Sequence, residues 1–385
     1  DPQTASGFDA SGAPRLVAFA KFFRADYATH VLEAFLKVLE LGPAGCICPE
    51  RLTNIALNYV CETLKHKAIF AALRPHLVPL LLHVAFPLFY FSRRDAEVWE
   101  EDPAEYVRRE FDIMEDYYSP RTAAKNLLLC ATRTKAKLTL QPVTAHCAQL
   151  LQQSLEAQQQ PAAAAAAVEI LYRKDGALLA LGTIHSRLTR NVTYARALPH
   201  MISVHVLPEL NSAHGFLRSR ACWVLGQFAA SLYSGGSHAG DLGGPFAQLM
   251  QMMRDADLPV RVQAALAINN FVEHDCANEL VLKALPELVQ QLFTLINDVG
   301  NDEVVQSLDT LIEKYGERMG PYAVEVVRAL SQHFIRLFTS EDTDDDDGAA
   351  LTAMSVMRAI SSMLHAVHGM PDKLAAMEAE LLPLL

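Results

Sequence analysis

The sequence has few aromatic residues and lacks both the pattern of a β-protein and the motifs of common enzymes. Aromatic residues make up 8% of its 385 residues, against 51% for all hydrophobic residues, and apolar and polar positions nowhere alternate over a sustained stretch. There is no His-Glu-x-x-His motif, and no predicted strand that could lead into a phosphate-binding loop or a dinucleotide fingerprint. These absences argue against a sheet and against an enzyme.

Two short motifs look like functional sites but lack what such sites need. The glycine-rich stretch 234–245 is similar to a phosphate-cradling loop, yet it has no Lys-Ser/Thr ending and lies between two predicted helices. We interpret it as a flexible linker. Cys46 and Cys48 are separated by one residue, whereas common zinc knuckles have a two-residue spacer, and there is no second pair nearby. We therefore expect neither a metal nor a cofactor.

The cysteines number seven, an odd count that does not suggest a disulfide framework. Most fall on predicted apolar helix faces. These are Cys61, Cys130, Cys147, Cys222 and Cys276. Such positions are typical of reduced thiols in the core of a cytosolic or nuclear protein.

One apolar stretch, Leu73–Phe91, is almost uncharged and long enough to span a bilayer. It contains three prolines, which make one continuous helix unexpected, so we interpret it as a buried helix broken near its end. The prolines are Pro75, Pro79 and Pro87. The chain begins at Asp1, without methionine or a signal-peptide pattern, and we expect an internal start and no membrane insertion.

What the sequence does contain is a repeat. Phe216–Leu225 is echoed by Pro259–Ile268, 43 residues later: each has a basic residue at its third position and, after two further residues, two small residues that lead an apolar helix. Small residues at that point let a helix lie close to its neighbour. A period of about 40 to 47 residues is typical of stacked helical hairpins of the HEAT type. The pattern predicts an all-α fold, a HEAT-repeat α-solenoid in which antiparallel helix pairs form a superhelix.

The echo continues through much of the chain. Lys174–Gly182 aligns with Arg218–Gly226, and Val304–Leu308 follows Arg261–Ala265 at the same rhythm. Arg121–Leu129 fits at a longer spacing, because a Gln/Ala-rich insertion occupies 152–167. We expect one solenoid over 1–385 with about seven or eight repeats, since such repeats bury their core only against neighbours.

An acidic run, Glu341–Asp347, places six carboxylates in seven residues between two predicted helices, in a loop at 340–348. The spacing fails as a calcium loop because two ligand positions fall on Thr343 and Met354. It is either a solvated spacer or an electrostatic attractor for a basic partner, and a net charge of −11 does not favour direct nucleic-acid binding. The candidate binding residues are Glu341, Asp342, Asp344, Asp345, Asp346 and Asp347.

A second acidic segment interrupts the repeat rhythm at 92–119 and contains Trp99, one of two tryptophans. We predict that it is an insertion packed on the concave surface of the solenoid, anchored by Tyr106 and Phe111. Three carboxylates are expected near solvent, as candidate contacts for a partner. They are Glu100, Glu101 and Asp102. A purely structural brace is the alternative.

The same segment carries a family resemblance. Its pattern Trp-x-x-Asp-Pro-x-Glu-Tyr, followed by Phe-Asp-x-x-Glu-Asp-x-x-Ser-Pro-x-x-Ala-Ala, resembles the middle of nuclear transport receptors of the importin-β superfamily, above all the importin-7 and importin-8 group. The resemblance continues through Lys174–Leu178 and Arg218–Leu225 to the acidic run and Leu351–Met354. It covers roughly 50–365, in order.

The resemblance implies a receptor that shuttles between cytoplasm and nucleus. The complete protein would carry basic cargo such as ribosomal proteins or histones, contact Phe-Gly nucleoporins and release cargo on binding Ran-GTP; importin-β is a further partner consistent with it. The family's amino-terminal Ran-binding repeats and a long carboxy-terminal part have no counterpart here. Two alternatives stay open: a HEAT scaffold that assembles an enzyme complex, and a related exportin.

Overall fold

A computed structural model describes residues 13–42, 48–112, 117–159, 164–234, 243–299, 301–339 and 347–382, and within these ranges every regular element is helical. The all-α prediction is confirmed. The α-helices are α1 Ala13–Asp26, α2 Ala28–Leu41, α3 Glu50–Thr63, α4 Lys67–Leu80, α5 Phe86–Phe89, α6 Arg93–Glu101, α7 Pro103–Phe111, α8 Pro120–Thr134, α9 Ala136–Gln159, α10 Ala164–Thr183, α11 His185–Arg190, α12 Val192–Met201, α13 Gly215–Gln227, α14 Ala229–Ser234, α15 Gly243–Met252, α16 Leu258–Val272, α17 Asn278–Val299, α18 Asp302–Tyr315, α19 Ala323–Thr339, α20 Asp347–Ala366 and α21 Pro371–Leu381. Short π-helical turns (Leu81–Ala85, Ile202–Val206) and 3₁₀ turns (Leu207–Asn211, Asp275–Ala277, Gly316–Tyr322) join some of them.

The described residues form two compact units. Unit 1 contains the described residues up to Tyr90 together with those from 117 to Arg187, and unit 2 contains 91–112 and the described residues from Leu188 onward. Helices α6 and α7 therefore belong to unit 2, although the rest of that unit begins more than 75 residues later in the chain. The prediction of a single solenoid over 1–385 stays a prediction.

Each unit is built of helical hairpins whose second helices stack on one another. In unit 1 these second helices are α3, α8 and α10; in unit 2 they are α13, α16, α18 and α20. The sequence echo falls on this stacked layer, with Arg218 in α13, Arg261 in α16 and Val304 in α18. The layer is the structural counterpart of the predicted HEAT-type repeat.

Small residues allow the layer to pack closely. Ala221 and Ala264 are 0% exposed, and a Cβ atom on Gly226 would come within 2.9 Å of the Ala267 Cα atom in α16. A side chain at Gly226 would therefore push the α13 and α16 backbones apart. Gly316 has the one positive φ among the described residues, 41°, and it ends α18 where an L side chain would be strained.

An ion-pair ladder repeats with the helices of unit 2. The Arg218 guanidinium donates to both carboxylate oxygens of Asp255, at 2.7 and 2.9 Å, and to the Ser212 carbonyl oxygen at 2.8 Å. One repeat later, Arg261 donates to Asp298 at 3.0 Å and to the Asp255 carbonyl oxygen at 3.2 Å. In both cases the partner aspartate lies 37 residues downstream. These two ion pairs therefore link α13 and α16 to the segments that follow them.

The apolar stretch predicted to be a broken helix is helical from Lys67 to Phe89, with a π-helical turn at Leu81–Ala85. Pro75 and Pro79 lie inside α4, so the prolines bend this path and do not end it. Among the described residues no single helix is long and apolar enough to cross a bilayer. Segments 67–73 and 77–101, which are bent by 71° relative to each other, have the required length and composition only when taken together.

The structure describes parts of the predicted insertions and loops, and their assignment as insertions stays a prediction. Residues 152–159 of the Gln/Ala tract extend α9, and α10 begins at Ala164, so the described parts of the tract are helix ends. The glycine-rich stretch overlaps the end of α14 at Ser234 and the start of α15 at Gly243, and its middle lies outside the described residues. The acidic run at 340–346 also lies outside them, while Asp347 is the first residue of α20.

The cysteine prediction is right for the core and wrong for one position. Cys130, Cys147 and Cys222 are buried, and burial raises the pKa of the Cys147 and Cys222 thiols. Cys276 is exposed, because it lies on the short 3₁₀ turn before α17 and not on an apolar helix face. The Cys46–Cys48 pair is only partly described, since Cys46 lies outside the described residues.

Candidate binding surface

Helices α6 and α7 form a short capped hairpin at the predicted insertion. Ser92 and Asp95 make a reciprocal capping box at the start of α6, with the Ser92 Oγ accepting from the Asp95 amide at 3.0 Å. The Asp102 carboxylate accepts from the Glu105 amide at 2.9 Å and caps α7, whose first residue is Pro103. Each cap satisfies amide groups that a helix start leaves open.

An aromatic cluster anchors this hairpin to unit 2. The Phe91 and Phe216 rings stack with centroids 4.3 Å apart, and the Trp99 ring meets Tyr106 edge-on at 4.9 Å and Phe91 at 6.2 Å. Gly215, at the start of α13, has no Cβ to meet Trp99 and Asp257. Tyr106 and Phe111 are both half-buried, but of the two predicted anchors only Tyr106 makes ring contacts among the described residues. The stacked contact is made by Phe91 and Phe216.

The three predicted contact residues of the insertion are all exposed. Glu100 and Glu101 end α6 with their side chains toward solvent, free to meet a partner. Asp102 is exposed as well, but its carboxylate is engaged as the α7 cap. The structure therefore separates the three carboxylates into two available groups and one that maintains the hairpin.

Helix α7 also brings together charges that the sequence did not connect. The Gln263 side-chain amide in α16 donates to Glu110 Oε2 in α7 at 3.2 Å, although the two residues are 153 positions apart. Asp302 and Glu303, in the first turn of α18, complete an arrangement that we call the α7–α18 acidic cluster: Glu110, Gln263, Asp302 and Glu303. The local sequence gives no signal that 110 and 303 lie near one another.

The electrostatics of the cluster are unfavourable in the isolated chain. Burial raises the pKa of Glu303, and the negative charges of Asp302 and Glu110 raise it further, against the lowering effect of hydrogen bonds from the backbone and Asn301. No cation among the described residues pairs with Glu110, Asp302 or Glu303. The adjacent arginines serve other carboxylates: Arg109 donates to Glu105 and Arg261 to Asp298.

The described residues contain no group of three or more His, Cys, Asp or Glu side chains arranged to hold a metal ion. A crevice of about 400 Å³ lies in unit 1 between α3 and α8, beside Cys61, where burial raises the pKa of the thiol to about 12. Such a thiol is protonated at neutral pH and a poor nucleophile.

The chain matches no protein-family model. It is similar to the importin beta-like SAD2 homolog of Arabidopsis thaliana, at 34% identity over 377 residues, which is 96% of this chain and 35% of that protein. It is 27% identical to the probable importin-7 homolog of Dictyostelium discoideum, over 96% of this chain and 34% of that protein. Importin-8 of Homo sapiens is 27% identical over 94% of this chain and 34% of its own length.

Among solved structures, the chain is similar to the exportin Cse1 in its cargo-free, cytoplasmic state. The TM-score is 0.64 at 15% identity, and the match covers 91% of this chain and 37% of that chain. At that identity the likeness concerns the fold alone. In every one of these comparisons the chain spans about a third of the relative's length.

Proposed function

We propose that this chain, a run of helical hairpins of the importin-β superfamily, is part of a nuclear import receptor. The receptor binds basic protein cargo and releases it on binding Ran-GTP. The observation that carries the proposal is the similarity to several importins along almost the whole chain, 94 to 96% of it. Cargo, Ran and nucleoporin binding are proposed for the complete receptor, since the chain spans about a third of the length of the relatives it matches.

Charge supports basic cargo as the ligand class. The net charge of −11 attracts basic proteins, and Glu100 and Glu101 are exposed on a hairpin held firmly to unit 2. Ribosomal proteins and histones have the required chemistry, and the receptor would meet Phe-Gly nucleoporins while it shuttles between cytoplasm and nucleus. If the chain were instead part of a scaffold for an enzyme complex, we would expect its affinity for basic proteins to be the same with Ran-GTP and Ran-GDP.

The direct test uses the full-length receptor, immobilised and loaded with a purified core histone or a ribosomal protein. We expect Ran-GTP to displace the cargo and Ran-GDP to leave it bound. Equal cargo retention with both nucleotide states would overturn import by this receptor. Cargo binding that becomes tighter with Ran-GTP would indicate an exportin.

Replacing Glu100 and Glu101 with lysine in the full-length receptor is expected to weaken binding of a basic cargo by about tenfold at low salt. The two carboxylates are exposed, so the change acts through solvent, over a screening length of about 8 Å at physiological salt. Fluorescence anisotropy with a labelled histone measures the affinity. Thermal stability should hold, because neither side chain has a structural partner among the described residues.

The matched control is Glu279→Lys with Glu317→Lys, which makes the same charge change at exposed positions away from the hairpin. Asp102 is left intact, because losing this cap should cost about 1 kcal/mol of stability and confuse the result. Equal affinities for the Glu100→Lys/Glu101→Lys variant, the control and the wild type would leave the hairpin as a brace only.

The acidic run is expected to raise the capture rate of basic cargo and to contribute little to its dissociation rate. Changing Glu341 to glutamine and the five aspartates to asparagine should lower the association rate and flatten its salt dependence. Stopped-flow mixing at several salt concentrations measures both. A second variant that keeps Asp347, the first residue of α20, separates the run from the start of the helix. Unchanged association rates and slopes would assign the run to a solvated spacer.

A further inference from the structure

The α7–α18 acidic cluster contains polar atoms that the described residues leave unsatisfied. Gln263 is 3% exposed, and its amide nitrogen donates to Glu110 while its carbonyl oxygen, Oε1, is buried and has no donor. In Asp302 the Oδ2 atom accepts from the Gln306 amide at 2.5 Å, and the buried Oδ1 atom has no donor. A buried acceptor without a donor costs free energy, so such atoms call for a ligand that can donate.

The surroundings specify the charge of that ligand. Gln263 donates to Glu110, and the negative charges of Glu110 and Asp302 both act on Glu303, so the donor should be a cation; an anion would be repelled. Glu110 is exposed, whereas Asp302 and Glu303 are half-buried. Burial of Glu303 near two other carboxylates raises its pKa, and a cation at this position would stabilise the charged form of Glu303.

The donor geometry specifies a side chain and not a metal ion. The carboxylates are not grouped closely enough to hold a metal among the described residues. A lysine ammonium offers three N–H donors and an arginine guanidinium five, which suits a set of separated carboxylate and amide oxygens. The chain's own nearby arginines, Arg109 and Arg261, are already paired with Glu105 and Asp298.

We propose that the α7–α18 acidic cluster is a docking site for a lysine or arginine side chain of a basic partner segment. The proposal rests on the proposed function, in that the partner is of the basic cargo class, and it assigns one position at which such cargo is recognised. The cation would donate hydrogen bonds to Gln263 Oε1 and Asp302 Oδ1 and neutralise Glu303. The hairpin α6–α7 takes part because it supplies Glu110 and holds Gln263 in place.

The test uses the full-length receptor and a fluorescein-labelled synthetic peptide of lysine, arginine and glycine. Gln263→Met keeps the net charge and the approximate volume but removes both the buried acceptor and the hydrogen bond to Glu110. Glu303→Gln removes the charge and keeps the shape. Because each variant removes a buried contact to the cation, we expect each to weaken peptide binding about thirtyfold. The single exposed change Glu279→Gln should alter it less than about threefold.

A carbodiimide coupling locates the peptide. The reagent joins a peptide lysine amine to a receptor carboxylate as an amide, and mass spectrometry identifies the carboxylate. We expect Glu110, Asp302 or Glu303 among the coupled residues, and their loss from the coupled set when the peptide lysines are acetylated. Melting curves from circular dichroism show that each variant is folded.

The outcomes separate the two proposals. Wild-type affinity in both Gln263→Met and Glu303→Gln, with coupling only at other carboxylates, would overturn the docking site and leave basic cargo binding in place. A wild-type receptor that binds neither the peptide nor a histone would overturn basic cargo as the ligand class, and the docking site with it. If Glu303→Gln weakened peptide binding and Gln263→Met did not, the effect would be one of long-range charge, and the docking site would also be overturned.

Discussion

Replacing Arg218 with methionine is expected to lower the free energy of unfolding of unit 2 by about 3 kcal/mol, because it leaves a buried carboxylate without its cation. The side chains of Arg218 and Asp255 are 14% and 8% exposed, and three guanidinium hydrogen bonds join Arg218 to Asp255 and Ser212. Methionine keeps much of the aliphatic volume, so the loss would come from the charge and its hydrogen bonds. Urea unfolding followed by circular dichroism measures it.

The matched control is Arg254→Met. Arg254 pairs with Glu287 at 2.8 Å, but the two side chains are 61% and 43% exposed, so the change should cost less than about 1 kcal/mol. A double variant, Arg218→Met with Asp255→Leu, removes both buried charges and should recover part of the loss. Equal costs for Arg218→Met and Arg254→Met would contradict a buried ladder.

Replacing Trp99 with alanine is expected to weaken the attachment of the α6–α7 hairpin by about 2 kcal/mol, since Trp99 is half-buried and a fully buried tryptophan would cost more. Its ring contacts Tyr106 and Phe91, and through Phe91 the hairpin meets Phe216 of α13. Amide hydrogen exchange in 93–111 should then accelerate about thirtyfold. Exchange in α3 and α8 should change little, because stability in repeat proteins is a sum of neighbour terms.

Trp99→Phe keeps an aromatic contact and should lose a smaller part of this protection. Phe216→Ala removes the other side of the cluster, and the double variant Trp99→Ala/Phe216→Ala should cost less than the sum of the single variants because the two share one interface. Both changes should also weaken binding at the α7–α18 acidic cluster, since α7 supplies Glu110. Unchanged exchange at 93–111 in Trp99→Ala would show that α7 is held by other contacts.

The sequence predicts some features of the fold and of the binding surface and misses others. The helices were predictable because Phe216–Leu225 and Pro259–Ile268 repeat the same apolar and small positions, and this repeat falls on the stacked helices α13 and α16. The exposure of Glu100 and Glu101 was predictable from the polar end of a short amphipathic segment. The exposed position of Cys276 was not, because periodicity alone could not reveal that the turn at 275–277 is a separate 3₁₀ element.

The sequence by itself determined the helical class, the repeat and the acidic character, because periodicity depends on residues close together in the chain and net charge depends on composition alone. Only the tertiary structure decided where the insertion packs and which carboxylates are occupied. Asp102 became a helix cap, Phe91 and Phe216 became ring partners, and Glu110 met Gln263 across 153 positions. Pairings over such distances depend on which helices stack, and burial and charge neighbours then decide which groups are left to bind a partner.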